Sequence, residues 1–199
     1  MIKYFVILII SFYFYLPGNA QERKLVYDVV RKGKIIGEIN FVEMNQGQKK
    51  FLSMTSHVET KILLTYKDHT TETAAFDKGI MVYSSFIQKQ TGSDVNNKTV
   101  TLSGKSYKVL DNGESKSITL PTILHNTLLL YNNIPKDYNK IYSAKFQNLV
   151  DIKKITENKY RLLFPDGKYN DYTYENGICS KVEIVRSIGS VQFLLREQK

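Results

Sequence analysis

Short turn signals that contain glycine recur along the chain, and they constrain its fold more than any other feature. In chain order they are Lys32-Gly33, Gln46-Gly47, Asp77-Lys78-Gly79, Asp111-Asn112-Gly113, Pro165-Asp166-Gly167, Glu175-Asn176-Gly177 and Ile188-Gly189. Most of the segments between neighbouring signals have the length of one β-strand. Asn or Asp followed by Gly supplies the positive φ angles that tight hairpins require. The spacing predicts a meander of at least about eight antiparallel strands.

Apolar and polar side chains alternate within several of these segments. Between Leu52 and Leu64 the even positions are mostly apolar, so Val58 points inward, whereas Glu59 and the other odd positions are polar. The same alternation predicts inward faces made of Ile35, Gly37, Ile39 and Phe41, of Ile178, Val182 and Ile184, and of Val191, Phe193 and Leu195. With 14 Tyr and 10 Phe residues, the composition also favours strands. We therefore expect a curved sheet with one buried face.

One segment, from Leu120 to Tyr131, has the periodicity of a helix instead. Its apolar positions 120, 123, 124, 128 and 131 share one helical face. Pro121 suits a first helical turn, and Asn132-Asn133 before Pro135 suits a helix end. The sequence thus predicts a mainly β fold, an antiparallel meander that forms a curved β-roll or half-barrel. One helix near residues 120–132 would cover the open side of the sheet.

Residues 1–20 have the pattern of a secretory signal peptide. Lys3 precedes an apolar run from Tyr4 to Leu16, and Gly18-Asn19-Ala20 places small residues where a signal peptidase cleaves. The run is shorter than the roughly 20 residues of a membrane-spanning helix. We expect cleavage after Ala20, no stable transmembrane segment afterwards, and a single β-rich domain over residues 21–199. The chain is then exported, to the periplasm or cell envelope of a Gram-negative bacterium.

The formal net charge of the chain is +9. This charge is spread thinly, without any block of about five like charges, which argues against nucleic acid as a partner. A basic balance in an exported protein fits contact with anionic lipid or with envelope polysaccharide, although solubility alone also explains it. Cys179 is the single cysteine, which excludes an intrachain disulfide, and we interpret it as a small packing residue in a strand.

The titratable residues form no recognisable catalytic or cofactor motif. His57, His69 and His125 share no metal-ligand spacing, and no nucleophile elbow, phosphate loop or dinucleotide fingerprint occurs. We therefore expect no cofactor and no metal. His57 and Glu59 lie on one strand face and have the chemistry of an acid/base pair, but a solvated polar face explains them as well.

Three carboxylates leave a catalytic alternative open. Asp166, Asp171 and Glu175 cluster in the segment from Pro165 to Gly177. Paired carboxylates hydrolyse glycosidic bonds without any local sequence motif. Asp166 and Glu175 are also ordinary turn-forming residues. The balance favours a protein that is not an enzyme.

Two groups of side chains are candidates for ligand binding. The first is the apolar face of the predicted helix, made of Leu120, Ile123, Leu124, Leu128 and Tyr131. The second is a pair on one face of a tyrosine-rich strand, Tyr172 and Tyr174. Aromatic side chains of this kind stack on sugars or line apolar pockets, and they also form ordinary cross-strand pairs. Further side chains available to line an apolar cavity are Phe41, Phe86, Phe164 and Phe193.

Three stretches carry a resemblance to a known family. They are the opening stretch from Leu25 to Glu38, the turn Phe164-Pro165-Asp166-Gly167, and the stretch Tyr172-Thr173-Tyr174-Glu175-Asn176-Gly177. Together with the single predicted helix, they resemble exported bacterial (Bacteroidota-type) β-roll domains of unknown function, over most of residues 24–197. The layout is also distantly similar to that of periplasmic lipoprotein carriers, whose curved sheet and helices enclose acyl chains. The resemblance implies an exported β-roll or half-barrel and offers no known catalytic residues to carry over.

Three functional hypotheses follow. The first is a non-catalytic periplasmic or cell-envelope protein that binds an apolar or envelope-derived ligand, such as a lipid, in its curved sheet. The second is a carboxylate-dependent hydrolase of envelope polymers. The third is a small outer-membrane barrel, against which the charged final residues Arg196 to Lys199 argue. Inward aromatic side chains around a cavity favour the first hypothesis, and paired buried carboxylates in a cleft favour the second.

Overall fold

The computed structural model describes residues 21–61, 65–185 and 190–199. Within them the chain forms fourteen β-strands and one 3₁₀ turn. The strands are β1 (Gln21–Arg31), β2 (Lys34–Gln46), β3 (Lys49–Lys61), β4 (Thr65–Asp77), β5 (Ile80–Gln90), β6 (Asn96–Ser103), β7 (Ser106–Asp111), β8 (Glu114–Lys116), β9 (Lys140–Ser143), β10 (Asn148–Thr156), β11 (Lys159–Leu163), β12 (Tyr169–Glu175), β13 (Ile178–Val185) and β14 (Val191–Gln198). The 3₁₀ turn (Thr127–Tyr131) lies between β8 and β9. The predicted signal peptide and the predicted turn at Ile188-Gly189 lie outside the described residues.

All fourteen strands belong to one antiparallel sheet, in the order β8-β7-β6-β5-β4-β3-β2-β1-β14-β13-β12-β11-β10-β9. Strands that follow each other in the chain are neighbours in the sheet, except for β8 and β9, which form its two edges. The first strand, β1, pairs with the last, β14. Among the described residues, no strand pairing joins the edge strands β8 and β9. The predicted fold class, a mainly β antiparallel meander, is confirmed.

The hairpins arise where the turn signals predict them. At Asn112-Gly113 the φ angles are 51° and 86°, and two consecutive positive φ angles let a two-residue turn match the twist of the flanking strands. Lys32-Gly33, Lys78-Gly79 and Asn176-Gly177 repeat this backbone pattern. Local turn chemistry therefore accounts for much of the meander.

Alternation places most strand side chains on the predicted faces. On β3, Leu52 is buried and Val58 is half-buried, whereas Glu59 is exposed. The inward residues predicted for the last two strands also lie in or against the core, and they are Ile178, Val182, Ile184, Val191, Phe193 and Leu195. The burial of one sheet face is the main source of apolar stabilisation in such a fold.

A bulge in β2 changes the face predicted for one residue. The register with β1 shifts from Val29↔Gly37 to Val30↔Ile35, which leaves Ile36 as an extra residue. Ile35 is consequently 65% exposed, while Ile36 packs against the core, so the inward position predicted for Ile35 is wrong. The bulge lies beside Gly37, where a Cβ atom would collide with the backbone carbonyl of a residue on β3.

The helix predicted near residues 120–132 is reduced to the 3₁₀ turn, and the residues before it are not helical. The reason is that their backbone groups bond to distant strands. The carbonyl of Ile123 accepts from Met81 N–H at 2.9 Å, and the carbonyl of His125 accepts from Tyr142 N–H at 2.9 Å. Asn126 forms an isolated parallel bridge with Tyr142. These contacts replace the hydrogen bonds that a helix would make within itself.

The sheet has two halves, β1 to β8 and β9 to β14, which are joined where β1 pairs with β14. The same contacts bridge the gap between the outer edges of these halves, at β8 and β9, and we call this gap the seam. The segment before the 3₁₀ turn lies between β5, through Met81, and β9, through Tyr142. The β9–β10 turn also reaches across the seam, because Gln147 Nε2 donates to the carbonyl of Leu110 on β7 at 2.7 Å. Lys98 Nζ on β6 donates to the carbonyl of Lys145 in that turn at 2.8 Å. The curved sheet is therefore held in a barrel-like shape by loop and side-chain contacts.

The 3₁₀ turn is inserted into the interior of the curved sheet. Tyr131 is buried, and its ring stacks on Phe41 and meets Tyr27 edge-on, with ring centroids 5.4 Å and 5.3 Å apart. The hydroxyl of Tyr174 donates to the carbonyl of Leu130 at 2.9 Å. Aromatic packing and a buried hydrogen bond thus fix the turn against strands from both halves of the sheet.

Candidate functional site

A cavity of about 630 Å³ lies between the inner face of the sheet and the 3₁₀ turn. Its apolar wall combines strands from both halves of the meander, with Val29, Ile36, Ile39, Met54, Val58, Phe86, Leu162, Phe164, Tyr172, Ile184, Val191 and Phe193. Protein interiors are normally packed without voids much larger than a water molecule. A volume of this size falls within the roughly 300–1,000 Å³ of small-molecule sites. The cavity is therefore the candidate functional site.

The 3₁₀ turn forms the floor of the cavity through Thr127, Leu128 and Tyr131. The position of the floor is fixed from behind, because the side-chain amide of Asn132 donates to the carboxylate of Glu43 on β2. Glu43 also forms an ion pair with Lys50, with 2.7 Å between Nζ and Oε1. Although burial opposes ionisation, the Lys50 contact holds the pKa of Glu43 below its usual value. This anchoring group is thus a satisfied, charged carboxylate.

A second buried carboxylate, Glu72 on β4, lines the cavity beside the floor. Its residue surface is 7% exposed, and Thr127 Oγ1 donates to Oε1 at 2.9 Å. No other hydrogen bond to Glu72 is made within the described part of the chain. Burial raises the pKa of Glu72 from 4.5 to about 7, while the Thr127 hydrogen bond and the positive charge of Lys145 oppose that rise. The inner end of the cavity therefore presents an acid that changes charge near neutral pH.

The other end of the cavity is polar and is organised by Asp68, which lies four positions before Glu72 on the same face of β4. Asp68 accepts hydrogen bonds from Gln90 at 2.5 Å, from Gln88 at 2.9 Å and from Thr70 at 2.8 Å. All four of these side chains line the cavity. The carboxylate of Asp68 is thus well supplied with donors from the protein itself.

On the facing wall, Asn170 of β12 contributes a polar atom without a partner. Its Oδ1 is buried and has no hydrogen-bond partner among the residues that the structure describes, and the residue lines the cavity. Near it, the side chain of Lys168 forms an ion pair with Asp166 at 2.8 Å, and both residues also line the cavity. The lining therefore combines an apolar middle, a polar outer end and two buried acceptor groups, on Glu72 and Asn170.

A family model matches residues 27–196 of the chain. The chain belongs to the DUF6134 family. This family is described as a domain of unknown function. The predicted resemblance to a domain of unknown function is confirmed at that level.

Among solved structures, the DUF6134 chain is similar to a β-barrel-like protein of another domain of unknown function, DUF1849, from Brucella abortus. The match has a TM-score of 0.58 and 12% sequence identity, and it covers 89% of this chain and 97% of that one. At such low identity the similarity shows a shared fold and carries no information about activity. No curated protein matches the chain.

The DUF6134 cavity contains some of the residues predicted to bind a ligand. Leu128, Tyr131 and Tyr172 line it. Leu120, Ile123 and Tyr174 are buried in the core but do not line it. Leu124 is 51% exposed and lies on the outside, so its predicted place on an inward apolar face is wrong. It was expected there because of helical periodicity, and the segment is not helical.

The carboxylates considered for hydrolysis do not come together. Asp171 is bound by Arg161, whose Nε and Nη2 donate to its two oxygens at 2.7 Å and 2.9 Å. Burial works against ionisation, but Arg161 and Lys159 hold the pKa of Asp171 below its usual value. Asp166 is paired with Lys168, and Glu175 is exposed beside a turn. The three carboxylates therefore lie in three different environments, which are an ion pair with Arg161, an ion pair with Lys168, and solvent.

The histidines lie apart from the cavity. His57 and His69 are exposed cross-strand neighbours with ring centroids 6.0 Å apart, and Glu59 pairs with Lys67 at 3.2 Å. This arrangement is the solvated polar face that the sequence analysis gave as the alternative to an acid/base pair. Within residues 21–61, 65–185 and 190–199, no three His, Cys, Asp or Glu side chains are grouped so that they could hold a metal ion. In the same ranges, no helix is long and apolar enough to cross a membrane.

Cys179 is fully buried in the core, as its predicted packing role requires. Burial raises the pKa of its thiol to about 12, so the reactive thiolate is scarcely populated at neutral pH. The thiol contacts the carbonyl of Lys181 at 3.4 Å. This cysteine therefore contributes packing and no nucleophile.

Sequence reasoning missed the polar part of the cavity, above all Glu72. A signal for it was present, because Glu72 has the same strand parity as Ala74 and Phe76, which are buried. Strict alternation therefore places the Glu72 side chain on the inner face as well. Because charged residues are usually exposed, the sequence analysis did not consider Glu72 for the interior.

Proposed function

We propose that this DUF6134 protein is a non-catalytic, exported protein of the periplasm or cell envelope that binds a ligand with an apolar chain in the cavity. One observation carries the proposal: a cavity of about 630 Å³ is walled by apolar side chains from both halves of the sheet. Apolar surface left facing such a cavity is stabilised when a ligand covers it. The polar outer end allows the ligand to retain contact with water there.

Export and the envelope location belong to the same proposal. They are supported by the signal-like pattern of residues 1–20 and by the net charge of +9, which suits contact with anionic lipid or polysaccharide. The outer face of β11 to β2 carries ion pairs, including that of Arg161 with Asp171 and that of Arg196 with Asp28. This charge distribution supports the interior, and not that exterior face, as the apolar binding surface.

Hydrolysis by a pair of carboxylates is the less favoured alternative. The cavity carboxylates of Glu72 and Asp68 are four residues apart on one strand, which separates their backbones by about 13 Å at roughly 3.3 Å per residue. Glycoside hydrolases place their two carboxyl groups about 5–9.5 Å apart. Asp68 is also occupied by three side-chain donors. These features support binding over catalysis.

Titration with the uncharged fluorophore N-phenyl-1-naphthylamine tests the proposal. We expect saturable fluorescence enhancement with purified protein, and displacement of the fluorophore by 1-dodecanol. Val58→Phe places a larger side chain into the cavity and should reduce the affinity about tenfold or more while the protein stays folded. Leu124→Glu is the control, because Leu124 is exposed and outside the cavity, and this variant should bind like the parent protein. Absence of saturable binding, or equal affinity in both variants, would refute the proposed function.

A further inference from the structure

The carboxylate of Glu72 is only partly used by the protein. Thr127 occupies Oε1, and Oε2 has no hydrogen-bond partner among the described residues. The residue is more than nine-tenths buried and lines the cavity. The second carboxylate oxygen of Glu72 is therefore available to a ligand in the cavity. A hydrogen-bond donor on that ligand would replace part of the solvation that the carboxylate loses on burial.

The position of the 3₁₀ turn does not require a buried acidic side chain at residue 72. Other contacts already fix the turn: Asn126 caps its start, Tyr174 binds the carbonyl of Leu130, and Asn132 is bound by Glu43. The hydroxyl of Thr127 needs an acceptor, but a neutral oxygen would serve it at a lower desolvation cost than a carboxylate. The acidic group of Glu72 is thus more than the packing of the turn requires.

Three titratable side chains of the described residues interact with Glu72. Lys145, from the β9–β10 turn, acts on the charge of Glu72 through electrostatic attraction. The phenols of Tyr131 and Tyr142 are the other titratable groups that interact with it. Burial raises the pKa of both phenols, so they stay neutral and add no charge. Across the cavity, the unpartnered Oδ1 of Asn170 is a second acceptor. Two of the side chains that line the cavity, Glu72 and Asn170, therefore have an acceptor atom available to a ligand.

We propose that the cavity selects ligands whose buried end carries a hydrogen-bond donor, a hydroxyl or amino group on an apolar chain, with Glu72 as the acceptor. This inference rests on the proposed function, since it names the class of ligand for the same cavity. A hydroxyl donates to Oε2 and completes the hydrogen bonding of Glu72. An ammonium group adds charge attraction, and charge-assisted hydrogen bonds are about twice as strong as neutral ones. A carboxylate at the same place would instead bring like charges together.

Competition among three probes with the same chain tests the selectivity. The affinities of 1-dodecanol, dodecylamine and dodecanoate are measured by displacement of N-phenyl-1-naphthylamine, at about pH 8, where Glu72 is largely ionised. We expect the alcohol and the amine to bind at least about tenfold more tightly than the carboxylate. Glu72→Leu should abolish this preference, because it removes the acceptor and the charge. Glu72→Gln keeps an acceptor and loses the charge, so it should retain the alcohol and weaken the amine about tenfold.

Glu59→Gln is the matched control, because Glu59 lies exposed on the neighbouring strand, outside the cavity. It should keep the preference of the parent protein, and a melting curve for each variant establishes that it is folded. Equal affinity of the parent protein for all three probes would overturn the inference and leave the proposed function standing. A preference that survives in Glu72→Leu would overturn it too. If the fluorophore itself does not bind, the proposed function fails first.

Discussion

Replacement of Glu72 by Gln should stabilise the protein, and the gain should depend on pH. Burial raises the pKa of Glu72 from 4.5 in the unfolded chain to about 7 in the folded protein. The folded state therefore holds this proton more tightly, so its stabilising effect is complete below pH 4.5 and is lost as the pH rises through about 7. The interval from 4.5 to about 7 corresponds to about 3 kcal/mol of unfolding free energy.

A Gln side chain retains an oxygen for the Thr127 hydroxyl and has no charge to desolvate. The free energies of unfolding of the two proteins should thus agree near pH 4.5 and differ by about 3 kcal/mol above pH 7, with the variant more stable. Urea unfolding followed by circular dichroism measures both values, with equal m-values as a check on the comparison.

The difference between the two proteins isolates Glu72 from other titrating groups. Burial lowers the pKa of His125, so its contribution is present above its unfolded pKa and is lost as the pH falls, opposite to that of Glu72. Acids whose pKa is lowered, such as Asp171 and Glu183, affect stability mainly below their usual pKa. These contributions cancel in the comparison. A difference that stays constant from about pH 4.5 to 8, within about 0.5 kcal/mol, would refute the raised pKa that burial gives to Glu72.

Three further predictions concern signal-peptide cleavage, the close backbone contact at Gly37 and the buried face of β3. N-terminal sequencing of protein from the cell envelope should begin after Ala20, and protein that still begins at Met1 would contradict cleavage. Gly37→Ala should destabilise the protein by about 1–3 kcal/mol in urea unfolding, because the added Cβ meets backbone on β3; an unchanged midpoint would show that the bulge adapts. Val58→Asp should lower the free energy of unfolding by about 1–3 kcal/mol, whereas Glu59→Ala should change it by no more than about 0.5 kcal/mol. Equal melting temperatures of the two variants would show that the faces of β3 are misassigned.

The meander could be predicted because its determinants are local in sequence. Asn112-Gly113 requires only its own backbone preferences to form a hairpin, and the alternation around Leu52 requires only one buried face. The predicted helix failed because periodicity does not report where backbone groups find partners. The groups of Ile123 and His125 bond to strands that are distant in the chain. Such long-range competition is invisible in the spacing of apolar residues.

The candidate site was only partly predictable for a related reason. Leu128, Tyr131 and Tyr172 could be found, because large apolar side chains in regular patterns face the interior whatever the details of packing. The pattern does not distinguish residues that line a cavity from those that fill the core, as Tyr174 does. Glu72 was missed because a charged residue is expected in water. Its burial follows from strand parity, which outweighs the preference of a single side chain.

The seam is held together differently from the rest of the sheet. Each neighbouring pair of strands is held by a ladder, such as the thirteen residue pairs that join β3 to β4. Across the seam, by contrast, only single hydrogen bonds of the described residues join the two sides. Met81 and Tyr142 bond to the irregular segment before the 3₁₀ turn, and Gln147 and Lys98 bond directly across the seam. Parting the structure there breaks a handful of hydrogen bonds and leaves every strand pair intact. The barrel-like closure of the sheet therefore depends on these few residues, whereas the order of the strands depends on the ladders, so a substitution at the seam tests the closure alone.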